Sequence, residues 1–385
     1  MQKLSVSSFR LLAKSVILGI WACVFVACNG SDDPVPDKVD RTVLVYMAAD
    51  NSLNSHWLNN VNQMLEASAG NALNGGNLLV YVDPKNDTPR LLQVVAGDGG
   101  VMVTKTVREY EEHNSASVSV LREVVDYVTG HYPAESYGLG LWSHGTAWLP
   151  ENAGIMMRSF GDDNGLVMDI NELRDALPDG VFDFIFFDAC YMASVEVAYA
   201  LKDKARLIMA SQTEVMGAGF PYNSMIPYFF KPEPQLEKAA SAFFDYYDAQ
   251  SGYNRTATVS VVVTDGLPAL AASVKSILRA NEGWLSARPS LLAEVQASDY
   301  LYSQRALYDL KDFIEKLAPS SAAAFGETFD RAVPFSRHTP SCFFIKPFAS
   351  KPTENVHGLS MYVMGRYPTL DDWYKRLDWY RAVYE

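Results

Sequence analysis

Cysteine is scarce: four residues in a chain of 385, two of them within the first 28 positions. So few, so placed, exclude the disulfide framework that holds small secreted domains together. Cys190 and Cys342 remain for the body of the chain, either paired with each other or as free thiols. Positive charge is also short. Lys and Arg number 32 against 45 Asp and Glu, a formal net charge of −13, and a nucleic-acid partner would need a basic stripe that this balance does not supply. There is no Cys/His zinc spacing, no phosphate-cradling GxxxxGK[ST] loop, no internal repeat and no low-complexity tract beyond the linker described below. "GDDNG" (161–165) offers carboxylates without the EF-hand spacing, so no cofactor is expected, and calcium is the one metal those oxygens would suit.

What is present begins with an address. Lys3, Arg10 and Lys14 precede the apolar run "SVILGIWACVFVAC", which ends in small residues and is too short for a multi-pass membrane element. Its end resembles a bacterial lipoprotein signal, with Cys28 as the lipidated residue, residues 1–27 as the signal and residues 28–40 as a flexible, proline-containing tether. The acidic residues after Cys28 resemble the surface-export tag of Bacteroidetes lipoproteins. The expectation is an exported protein, anchored by lipid to an outer membrane or cell surface.

From residue 41 strands and helices alternate. Apolar strands are expected at 41–50, 77–83, 137–145, 182–190 and 205–211, with a hairpin around "GDGG" (97–100) and helices over 52–70, 118–133, 169–177 and 193–201. Near-continuous apolar strands separated by helices predict an α/β fold with a mainly parallel sheet covered on both faces. Residues 41–265 are read as the main domain. Residues 266–385 form a smaller, largely helical C-terminal part, whose strands at 341–348 and 357–365 rejoin the sheet or build a domain of their own.

Ligands of open α/β sheets bind at the carboxyl ends of strands, and two strands here end in reactive side chains. "LGLWSHG" delivers His144 and, 46 residues later, "FIFFDAC" delivers Cys190. A single crossover between them would make the strands neighbours, with both tips at one edge. Cys190 would then precede the helix "ASVEVAYAL", whose N-terminus favours a thiolate. The backbone N–H groups of Gly145 and Cys190 could face a developing oxyanion. Two other chemistries fit the same residues. "LWSHG" nearly matches G-x-S-x-G, with Ser143 as a nucleophile and His338 or His357 as its base. A peptidase fold that has lost activity could also serve as a surface binding module.

At these residues the chain resembles a known family. "TVLVYMAADN", "SHG", "DINEL", "FDFIFFDACYMASVEVAYAL", "GFPY" and "HGLSMY" are similar to the clostripain-like cysteine peptidases, a caspase-type family. The resemblance implies a caspase-like α/β/α sandwich, a His144–Cys190 dyad and protein or peptide substrates cleaved after Arg or Lys. It implies that Asp188, two residues before the cysteine, holds the basic side chain. A second acid of the family pattern is replaced by Ala218 within "MGAGFPY", and Glu214 is the candidate to compensate. Members are often activated by a cut between His and Cys, for which "IMMRSFGDDNG" offers Arg158–Ser159 in a segment expected to be exposed.

Overall fold

A computed structural model describes residues 37–149, 159–300, 305–345 and 348–385. Cys28, the signal, most of the tether and Arg158 lie outside the described residues. Among the described residues fifteen strands run in chain order: β1 (Val39–Ala49), β2 (Asn77–Pro84), β3 (Arg90–Ala96), β4 (Met102–Glu109), β5 (Ala134–Trp142), β6 (Phe160–Asp163), β7 (Leu166–Met168), β8 (Phe182–Asp188), β9 (Ala205–Ala210), β10 (Thr258–Val263), β11 (Leu307–Asp309), β12 (Phe335–His338), β13 (Ser341–Phe344), β14 (Ala349–Pro352) and β15 (Ser360–Tyr362). The main helices are α1 (Trp57–Ala67), α2 (Val118–His131), α3 (Ile170–Ala176), α4 (Val195–Ala200), α5 (Tyr222–Phe229), α6 (Leu236–Asp248) and α7 (Leu267–Ala280).

Nine strands form one sheet in the order β12-β10-β9-β8-β5-β1-β2-β3-β4. The five central strands, from β9 to β2, are parallel, and the two strands at each edge are antiparallel. The period-two alternation of strand side chains divides the core into two layers. Leu44, Tyr46, Leu139, Leu141, Ile185 and Phe187 pack on the face covered by α2, α3, α4 and α7. Val43, Val45, Met47, Val80, Phe184 and Phe186 pack on the other, under α1, α5 and α6. This is the α/β/α sandwich expected from the apolar runs.

Two glycines explain how β5 and β8 lie so close. Gly138 pairs with Phe184 and Gly140 with Phe186, and a Cβ at either glycine would fall 2.2 Å from the opposing ring. A glycine inside a strand is weakening by itself. Here it gives each phenyl ring its seat across the neighbouring strand.

The C-terminal third is threaded through the same compact unit as the rest of the described chain. Its contribution to the large sheet is β12, paired antiparallel with β10. Of the two outcomes left open for the strands at 341–348 and 357–365, joining the large sheet is not the one seen. β13 pairs with β14, and β15 with β11, as two-stranded ribbons. A helix over Leu310–Leu317 begins where the Asp309 carboxylate accepts from the Asp312 N–H at 2.9 Å. Buried Glu196 on α4 fastens this region, accepting from Ser194 Oγ (2.6 Å) and from the Tyr362 N–H of β15 (2.8 Å).

At the end of β2, Asp83 is fully buried beside Ser115 and Asp163, with the Ser115 hydroxyl opposing the effect of burial on its carboxyl. Burial pushes its carboxyl well above the usual 3.8, and nearby Asp163 adds to the shift. A carboxyl that holds its proton more tightly folded than unfolded makes the fold less stable as pH rises above its ordinary range. Asp83→Asn is expected to raise the melting temperature at pH 8–9 by about 2 °C or more and to flatten the pH dependence of thermal melts. An unchanged alkaline slope would contradict this account of Asp83.

Candidate active site

Pairing of β5 with β8 is parallel and sets Trp142 opposite Asp188, so the two strands end at one edge of the sheet. His144 lies two residues beyond the first tip and Cys190 two beyond the second. Both line a cleft of about 240 Å³ together with Trp142, Gly145, Asp188 and Glu214. The neighbouring strands and shared edge expected from the sequence are present.

His144 is half-buried, with Nε2 at 2.9 Å from Ser52 Oγ. Its loop is held by backbone bonds, Gly161 N–H to the His144 carbonyl (3.1 Å) and Thr146 N–H to the Ser159 carbonyl (3.1 Å). These flank an antiparallel bridge between Gly145 and Phe160. Successive backbone groups of an extended chain point to opposite sides, so the Gly145 N–H faces away from Phe160. A Cβ on Gly145 would lie 2.7 Å from the Cys190 carbonyl oxygen and 2.9 Å from Met192 Sδ. Only glycine lets this loop approach the cysteine so closely.

The thiol rests on another strand-end segment. Val215 N–H donates to Cys190 Sγ at 3.3 Å, and Sγ stands 3.6 Å from the Val215 carbonyl. Tyr191, next in the chain, has φ of 65° and donates its N–H to Thr213 at 2.9 Å. A tyrosine held at positive φ carries backbone strain that the surrounding bonds must sustain. One expectation fails here. Helix α4 starts at Val195 behind the Ser194 cap, four residues past the cysteine. Its dipole acts only within about the first turn and does not reach Sγ. Burial instead pushes the Cys190 thiol up to about 12, with the Glu214 charge adding to the shift and the Val215 N–H opposing it.

Asp188 is buried in the cleft wall, where Oδ2 accepts from the Phe220 N–H (2.9 Å) and the Tyr222 hydroxyl (3.0 Å). Burial pushes its carboxyl up to about 7 against those two bonds. Gly219, at φ 74°, passes so near that a Cβ would come within 2.7 Å of Oδ2. Ala218 is exposed and outside the cleft lining, although Gly217 and Gly219 on either side line it. Glu214 is not a solvated loop charge. One oxygen accepts from Tyr191 Oη (2.9 Å), the other from the Ile345 N–H (2.9 Å), and burial raises its pKa.

A family model described as the Clostripain family matches residues 45–383. The chain belongs to the clostripain family. Among solved structures, it is 36% identical to an inactive zymogen C11 protease from Parabacteroides distasonis (TM-score 0.81; 91% of this chain, 100% of that one). It is 30% identical to a secreted C11 cysteine protease from Bacteroides thetaiotaomicron in complex with an irreversible peptide inhibitor (TM-score 0.78; 90% and 99%). It is 26% identical over 219 residues to clostripain of Hathewaya histolytica, a match spanning 48% of this chain and 41% of that protein.

In this clostripain-family chain the serine-hydrolase reading loses its geometry. Ser143 is buried, and its oxygen donates to the Ala48 carbonyl (2.8 Å) while accepting from the Asp162 N–H (3.1 Å). His357 is paired with Asp309 (2.9 Å), and neither it nor His338 lines the cleft. The segment after Arg158 is not exposed either. Ser159, Phe160, Asp162 and Asp163 are all buried, because Asp163 binds Ser115 and Asp162 caps the Gly165 N–H at 2.9 Å. Among the described residues no group of three or more His, Cys, Asp or Glu could hold a metal ion.

Three residues escaped the sequence reading. Asn51 Nδ2 ties the tip of β1 to Asp162 (2.8 Å) and to Ser143 (3.3 Å). Asn60 accepts from Trp142 Nε1 (3.0 Å) and donates to the Ala218 carbonyl (3.0 Å). Ser52 meets His144. The available signal was position: Asn51 and Ser52 directly follow a strand tip, and Asn60 is an amide beside Val61 and Met64 on the apolar side of α1.

Gly145→Ala is expected to destabilise the fold by about 1–3 kcal/mol and to slow iodoacetamide labelling of Cys190. Gly130→Ala, which meets nothing within 4 Å, is the control. Equal melting and labelling of the two variants would contradict the close approach.

Proposed function

We propose that this chain is a cysteine endopeptidase that uses Cys190 and His144 to hydrolyse peptide bonds after Arg or Lys. The observation that carries the reading is the meeting of both side chains at one sheet edge, in a cleft that also holds the Asp188 carboxyl. Family membership and a relative crystallised with an irreversible peptide inhibitor support it.

In the proposed reaction His144 takes the thiol proton of Cys190 and Sγ attacks the scissile carbonyl carbon. The carbonyl oxygen gains charge as the C–S bond forms, and the N–H groups of Gly145 and Cys190 would receive it. His144 protonates the leaving amine as the C–N bond breaks. Water then hydrolyses the thioester and restores the thiol. Asp188 would hold the basic P1 side chain. Without a ligand it is half-ionised only near pH 7, and a bound cation stabilises its charged form. A single carboxylate at this place, with Ala218 in the second, gives a weaker hold on arginine than a pair would.

Autoprocessing at Arg158–Ser159 and export as a lipoprotein anchored through Cys28 complete the proposal. The relatives named as a zymogen and as secreted are consistent with it. With the anchor real, Cys28→Ser is expected to move the protein from the membrane to the soluble fraction, and persistent membrane association would remove that part.

A P1-varied peptide library tests the core of the reading. Arg and Lys substrates are expected to lead, with kcat/KM rising as pH passes through about 7, and Ala218→Asp is expected to strengthen the preference. Cys190→Ala should abolish turnover and leave one uncut chain, whereas Ser143→Ala should retain turnover. Selectivity for other P1 residues in both wild type and Ala218→Asp would refute the role of Asp188. A wild type without turnover and with an unreactive Cys190 would leave a binding module.

A further inference from the structure

The end of the β13–β14 ribbon presents apolar side chains to solvent beside the cleft. Ile345 is 66% exposed and Phe348 74% exposed, and Ile345 lines the same cleft as Cys190 and His144. Phe348 packs edge-on against Phe343 with ring centroids 5.0 Å apart, and Tyr253, itself 56% exposed, lies 5.4 Å from the same ring. Exposed aromatics grouped at the rim of a cleft mark a contact surface rather than a defect of packing.

Sheet order says which part of a bound peptide would meet this surface. Cys190 follows β8. His144, on β5, is on one flank of it, and β9 and β10 are on the other. The ribbon belongs to that second flank, since the Phe343 N–H donates to Thr256 Oγ1 (2.9 Å) just ahead of β10. The leaving amine must be near His144 to receive its proton, so the acyl half of the peptide runs the opposite way, toward Glu214, Val215 and Ile345. An extended peptide advances about 3.3 Å per residue, which brings the residues just before P1 to the ribbon.

We propose that Ile345 and Phe348, backed by Phe343 and Tyr253, form a subsite for an apolar or aromatic P2 or P3 side chain, with Glu214 as the residue that positions it. This rests on the peptidase reading. Glu214 bridges the Tyr191 hydroxyl, adjacent to the nucleophile, and the Ile345 N–H at the ribbon tip. With both oxygens engaged, it fixes the wall of the subsite and is not the acid that replaces a carboxylate at Ala218.

The test varies P2 and P3 between Leu or Phe and Ser with the best P1 held constant. It measures kcat/KM on wild type and equilibrium binding on Cys190→Ala. Apolar peptides are expected to lead by about tenfold in both assays. Ile345→Ser with Phe348→Ser should bring that ratio close to one. Glu214→Ala should also erase the ratio, mainly through KM. Glu214→Gln, which keeps an acceptor for the Ile345 N–H, should retain both the ratio and the P1 preference. Turnover with no apolar preference, or a preference that survives the double serine variant, overturns the subsite alone. Tighter binding of apolar peptides without any turnover upholds the subsite and removes the peptidase reading. If Glu214→Gln selectively lowers cleavage after Arg and Lys, Glu214 is a P1 acid and its positioning role falls.

Discussion

The centre of this molecule depends on how tightly β5 and β8 run side by side. Both strands are buried on two faces, and the register sets Gly138 opposite Phe184 and Gly140 opposite Phe186, where a Cβ would stand 2.2 Å from either ring. A shift by one residue would exchange the two core layers. The same register therefore decides which side chains leave the sheet at its edge, and it brings the loops of His144 and Cys190 to one cleft. The geometry of the cleft in this fold is a by-product of core packing, and the loops have only to refine it.

That refinement is done with backbone groups and buried polar side chains. Segment 211–220 wraps the cysteine, offering Thr213 to Tyr191, Val215 to the thiol and Phe220 to Asp188. Each bond offsets a desolvation cost that would be unfavourable if left alone. Asn51 and Asn60 do the same from the β1 side, joining loops that otherwise share no ladder. The outcome is a cleft in which burial raises the pKa of Asp188, Glu214 and the Cys190 thiol above their ordinary values.

The central sheet was legible because burial on both faces leaves long apolar runs, and because strand tips followed by His-Gly or Asp-Ala-Cys stand out against them. Less legible was everything whose burial depends on a distant partner. "GDDNG" reads as a surface turn, yet Asp162 and Asp163 are buried because Gly165 and Ser115 satisfy them. Helix α5 was unread, its pattern interrupted by Pro227. Helix α4 begins at Val195 rather than at Ala193, since Ser194 caps it. β12 carries the short polar sequence "FSRH", with no alternation to mark an edge strand. The strands at 341–348 and 357–365 were recognised as strands, but their partners are set by long-range contacts that composition does not encode.

The tie between Glu196 and β15 bears on how the protein folds. Glu196 follows the cysteine by six residues, but one of its two acceptor bonds comes from Tyr362, close to the end of the chain. Ser360 likewise reaches back to the Ala193 carbonyl at 2.9 Å. Joining residues so far apart in sequence costs loop-closure entropy that local contacts do not. The turn behind the cysteine is therefore complete only once α4 and β15 have met, which couples the order of that turn to the docking of a distant ribbon.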